Sequence, residues 1–131
     1  MGADIYLKSI FHMYSERGYF RDSYISSSLF ALLGLSWWQL ADELCREIDG
    51  RTVLPIDGAR SLLVRLEALP VTDDRFAYWK AARSVQGWTF RGENSSTAAE
   101  WKRDFVERRE QLLTMLRTSI YLNEPLRWRL S

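Results

Sequence analysis

Leu126-Arg127-Trp128-Arg129-Leu130 alternates apolar and basic residues without a break, and this pentad decides the reading of the fold. Successive side chains of an extended strand point to opposite faces, so three apolar groups share one side and two guanidinium groups the other. A lone strand leaves its backbone polar groups unpaired, and it therefore needs a neighbour. The opening residues offer one, because Ala3, Ile5 and Leu7 alternate with Asp4, Tyr6 and Lys8. Antiparallel pairing of these two segments places Asp4 near the arginines and ties down ends that otherwise fray.

The sequence between them carries helical spacing and helix punctuation. Ser26-Ser27-Ser28 supply N-caps for Leu29 to Leu33, and Gly34 stops that short helix. Ser36 caps a second, whose apolar positions Trp37, Leu40, Ala41, Leu44, Cys45 and Ile48 recur every three or four residues, with Asp49-Gly50 ending it. Pro55 opens a third, with Leu62, Leu63, Leu66 and Leu69 on one face before Pro70. Thr72-Asp73-Asp74 starts a fourth through Phe76, Trp79 and Ala82, and Ser84 to Ser96 reads as loop. Thr97 and Glu100 form the capping-box pattern of the longest helix, striped by Trp101, Phe105, Leu112, Leu116 and Ile120. Its charged residues, including Arg108 and the i,i+4 pair it makes with Asp104, read as a solvated face. Asn123 and Pro125 close it. The expected fold is mainly α (α+β): one domain over residues 1–131, four to five helices, and a small two-stranded antiparallel sheet pairing the N- and C-terminal strands.

Composition limits the function. The 131 residues fit a single domain. With 18 basic and 17 acidic residues, the net charge of +1 disfavours a nucleic-acid partner, which calls for a phosphate-neutralising excess. No segment approaches the roughly 20 apolar residues of a membrane span. With no signal-peptide pattern at the start and Cys45 as the single cysteine, a cytoplasmic, reducing location is expected. Aromatic residues make up 14%, which suits both a dense core and a recognition surface.

Chemistry-bearing patterns are sparse. One histidine, His12, and one cysteine cannot form the multi-ligand sets that zinc favours, and no glycine-rich phosphate loop or Gly-x-Ser-x-Gly turn occurs. Cys45 reads as a small buried hydrophobe. The segment that stands out is Arg17-Gly18-Tyr19-Phe20-Arg21-Asp22-Ser23-Tyr24, where three aromatics mix with arginine and aspartate outside any clear period. Read as a loop, it offers Tyr19, Phe20, Arg21, Asp22 and Tyr24 as binding residues, whether for a planar ligand or as protein hot spots. Trp37 and Trp38 point about 100° apart on a helix, so one enters the core and the other, taken as Trp38, joins the candidate surface.

Met1-Gly2-Ala3-Asp4-Ile5-Tyr6, Gly18-Tyr19-Phe20-Arg21-Asp22-Ser23-Tyr24, Gly34-Leu35-Ser36-Trp37-Trp38 and Glu124-Pro125-Leu126-Arg127 together resemble an uncharacterised family of small proteins from bacteriophages, prophages and bacterial genomes. Many members carry a long charged helical insertion where this chain has only Phe11 to Gly18. The resemblance implies a phage or mobile-element setting and no particular mechanism. The expected function is that of a non-enzymatic protein, without cofactor or metal, which docks on a host protein or complex and inhibits a host immunity system such as CRISPR interference. The alternatives are a small-ligand binder, with Tyr19, Arg21 and Tyr24 clamping a nucleotide, and an enzyme using His12 with Asp4 or Asp22.

Overall fold

The computed structural model describes residues 2–10, 18–23, 28–85 and 97–130. The two end segments do pair. Strand β1 (Gly2–Tyr6) lies antiparallel to β5 (Leu126–Leu130), with Ala3 opposite Leu130, Asp4 opposite Arg129, Ile5 opposite Trp128 and Tyr6 opposite Arg127. The sheet is nevertheless larger than the two strands expected. Its five antiparallel strands run β2-β1-β5-β4-β3, with β2 at Tyr19–Ser23, β3 at Arg46–Ile48 and β4 at Arg51–Leu54.

Each added strand has a physical reason that the apolar pattern conceals. In β2 the inward positions are Phe20 and Asp22, so a carboxylate occupies a core slot and breaks the apolar alternation. Strand β3 is exposed throughout, and nothing apolar announces it. The second helix, α2 (Trp37–Leu44), stops one residue short of Cys45, and Ile48 leaves its stripe to stand half exposed in β3. Asp49 (φ 53°) and Gly50 (φ 74°) are both left-handed, which makes them the centre of a two-residue hairpin turn rather than a helix end.

The helices otherwise follow their punctuation. Helix α1 (Leu29–Leu33) ends on Gly34 at φ 74°, whose N–H returns to Ala31 and Phe30 carbonyls. Helix α3 covers Ile56–Glu67, α4 covers Asp73–Val85, and α5 covers Ala98–Leu122. The loop expected from Ser84 begins later than that, since α4 runs through Val85; residues 86–96 lie outside the described residues. Ser36 and Thr97 accept from Gln39 and Glu100 backbone N–H groups, and left-handed Asn123 closes α5.

Helices α1, α2 and α5 cover the sheet face that carries Ile5, Phe20, Leu126 and Trp128, and Trp37 bridges the layers. Its ring stacks on Phe30 at 3.3 Å and lies 5.1 Å from Trp128. The charged side of α5 is not wholly solvated. Arg109 is 11% exposed and donates to the Leu66, Glu67 and Leu69 carbonyls, satisfying the C-terminal end of α3. No described helix is long and apolar enough to cross a membrane.

Candidate functional site

The segment expected to be an aromatic binding loop is an edge strand, and its residues divide between scaffold and surface. Phe20 and Asp22 are buried beneath the helices, whereas Tyr19 and Arg21 face the opposite side of the sheet. Tyr24 and His12 lie outside the described residues. Trp37 is buried and Trp38 is 58% exposed.

Asp22 organises the interior. Its Oδ1 accepts from the Leu29 N–H at 2.8 Å and from Arg108 Nη2. Its Oδ2 accepts from Trp37 Nε1 at 2.7 Å, Ser28 Oγ at 3.0 Å and the Phe30 N–H at 3.1 Å. Ser28 Oγ in turn accepts from the Ala31 N–H. The first three amide groups of α1 are therefore satisfied by two side chains, and the carboxylate suits the positive end of the helix. Arg108 also lies over the Phe20 and Phe105 rings. A carboxylate bonded by this many donors serves to hold β2, α1, α2 and α5 together, and it has no face turned to a ligand.

On the other side of the sheet Asp4 is the central acid. Arg21 Nη1 donates to both of its oxygens, at 2.6 and 2.7 Å, and the Tyr19 hydroxyl donates to Oδ1. Burial tends to raise the Asp4 pKa, but the bonds from Arg21 and Tyr19 and the nearby charges of Arg21 and Arg129 outweigh it, holding the carboxyl below its ordinary range. Burial and the same bond to Asp4 raise the Tyr19 phenol. The aspartate is thus a fixed anion that orients an arginine and a tyrosine.

The register then places Tyr6 beside Tyr19 and Arg127, and Asp4 beside Arg21 and Arg129. Val53 sits opposite Arg127, which brings Arg51, two residues earlier, onto the same side. Arg21, Arg51, Arg127 and Arg129 and two tyrosines share this face with one aspartate, and Arg46, opposite Val53, has the same register but pairs with Asp57 at 3.3 Å. Arg51, Arg127 and Arg129 make no salt bridge to a carboxylate among the described residues. The alternation of β5 already announces Arg127 and Arg129. Arg51 was missed, and the Asp49-Gly50 hairpin turn is the signal that would have placed it.

Reactive groups are few. Burial pushes the Cys45 thiol up to about 12, which makes it a poor nucleophile and metal ligand. Among the described residues no three His, Cys, Asp or Glu side chains cluster in a way that could hold a metal ion. Comparison with protein-family models, curated proteins and solved structures gives no match for the chain.

Proposed function

We propose that this is a non-enzymatic binding protein that docks on another protein through the arginine–tyrosine face of its sheet. The observation that carries the reading is the set of Arg51, Arg127 and Arg129 beside Tyr6 and the Asp4–Tyr19–Arg21 cluster. Protein interfaces are enriched in arginine and tyrosine and depleted in lysine, and the strand positions of this face carry no lysine. Asp4 fixes Arg21 before binding, which lowers the ordering cost of docking. The phage or prophage setting, and with it inhibition of a host defence complex, rests on the resemblance of the opening, Gly18–Tyr24 and Gly34–Trp38 motifs.

Phe20 and Asp22 leave the expected docking set in this reading, because they hold the core together. A nucleotide clamp by Tyr19 and Arg21 draws less support, since Asp4 already engages both side chains. The test is affinity purification from a bacterial host lysate with the native protein and an Arg51→Glu/Arg127→Glu/Arg129→Glu variant. A stoichiometric protein partner, lost with the variant at an unchanged melting temperature, is the expected result. A partner retained by the variant, or none with either protein, would overturn the proposal.

A further inference from the structure

Arg21, Arg46, Arg51, Arg127 and Arg129 belong to the outer face of the sheet, and the fold supplies carboxylates to those at its flanks. Arg21 on β2 is held by Asp4 at 2.6 Å, and Arg46 on β3 by Asp57 at 3.3 Å. Arg51, Arg127 and Arg129, on the strands between, form no salt bridge among the described residues. All three line one hollow of about 460 Å³, together with Tyr6, Gly50 and Thr52, and no acid lines it among the described residues. A second hollow of about 390 Å³ shares Arg51 and Arg127 and adds the exposed Lys8, with Asp49 among its walls. Like charges on neighbouring strands cost stability, and an anion from outside would relieve that cost.

The same face shows which anion fits. Arg21 Nη1 donates to both Asp4 oxygens while the Tyr19 hydroxyl donates to Oδ1, so an arginine and a tyrosine hold one carboxylate on this sheet. Tyr6 and Arg127 stand directly opposite each other on β1 and β5. The larger hollow therefore sets the same two residue types side by side, with Arg51 and Arg129 added. A nucleic-acid duplex fits less well, because it carries a phosphate charge about every 1.7 Å. Asp4, Asp49 and Asp57 flank the arginines and repel a continuous polyanion, whereas separate carboxylates can seat between them.

We infer that the partner docks an acidic patch here, with one aspartate or glutamate side chain seated among Arg51, Arg127 and Arg129 and a second beside Lys8. The inference rests on the docking reading and gives the partner its chemistry. Guanidinium forks bond carboxylates through paired N–H groups, and a hollow that excludes water strengthens the attraction.

The test uses fluorescein-labelled octaglutamate and fluorescence anisotropy at low salt, with labelled octalysine and oligothymidine beside it. Octaglutamate is expected to bind, and octalysine is not. Arg51→Gln/Arg129→Gln should weaken octaglutamate at least tenfold; both positions are exposed, so the variant keeps the fold. Its melting temperature at low salt should match or exceed that of the native protein, because neighbouring like charges are removed. Arg60→Gln/Arg103→Gln removes the same charge from exposed helix positions and should change binding less than twofold. An equal loss with both variants would overturn the site, since net charge alone then accounts for binding. Oligothymidine bound more tightly than octaglutamate through Arg51 and Arg129 would overturn the carboxylate in favour of phosphate. No octaglutamate binding, when a host partner still requires the three arginines, would overturn the acidic seat but not the docking face. Site-specific octaglutamate binding without any captured host protein would support the hollow and remove the docking reading.

Discussion

Asp22 and Trp37, one on an edge strand and the other on a helix, meet inside the core, where the indole Nε1–H donates to Oδ2 at 2.7 Å. This bond joins the sheet to the helical layer at the point where Trp37 also stacks on Phe30. The same carboxylate bonds α1 and Arg108, so one side chain links four elements.

Replacing Asp22 should therefore be among the most destabilising single changes. Asp22→Ala leaves Arg108, 17% exposed, without its buried partner and removes acceptors from α1. Loss of one member of a buried ion pair costs about 3–5 kcal/mol. Urea denaturation should show a loss of that size, and a change below about 1 kcal/mol would contradict the role assigned to Asp22.

Asp4 gives the fold a predictable acid sensitivity. Its carboxyl titrates below the unfolded value of about 3.9, so its contribution is complete above that pH and disappears as pH falls through the lower folded value. Arg21 is 44% exposed, which keeps the contribution near or below about 1 kcal/mol. The melting-temperature difference between native protein and Asp4→Asn should be present at pH 7 and shrink as pH falls below about 3.9. A difference that stays constant over this range would rule out the linkage.

Cys45 should be slow to react. With its pKa pushed up to about 12, the thiolate fraction at pH 8 is on the order of 10³-fold lower than that of a free cysteine near 8.5. Ellman's reagent should accordingly label the native protein far more slowly than the urea-unfolded chain. Comparable rates would mean that the thiol is neither shielded nor perturbed.

Gly58 marks a close approach between α3 and its neighbours. A Cβ there would lie 2.8 Å from Leu54 Cδ1 and 2.9 Å from the Leu44 carbonyl oxygen. Gly58→Ala should cost about 1–3 kcal/mol by overpacking, despite the better helix propensity of alanine. A stabilised variant in thermal melts would show that the helix shifts freely.

The parts of this fold that were legible in the sequence are those where local chemistry and tertiary role agree. The strict alternations of β1 and β5 gave their pairing, and Ser36, Thr97, Gly34 and Asn123 marked helix ends. Strand β2 was hidden because Asp22 takes an inward position, and its partners Ser28, Trp37 and Arg108 come together only in three dimensions. Strands β3 and β4 were hidden because three- and four-residue strands offer little periodicity, and Asp49-Gly50 serves equally well as a helix stop or a hairpin turn. The candidate surface was half visible for the same reason. Arg127 and Arg129 show in their own alternation, whereas Arg51 joins them only through the register of β4 on β5.

That β1 and β5 are neighbours within the sheet also sets the order of assembly. Strand β5 is the seam between two halves, β2–β1 and β4–β3, that touch it from either side. During translation neither half has its inner neighbour until Leu126–Leu130 leaves the ribosome. Pairings this distant in sequence form late and slowly. Until that strand is made the nascent chain carries two unjoined ribbons with bare edges, and the docking of β5 between them joins the sheet.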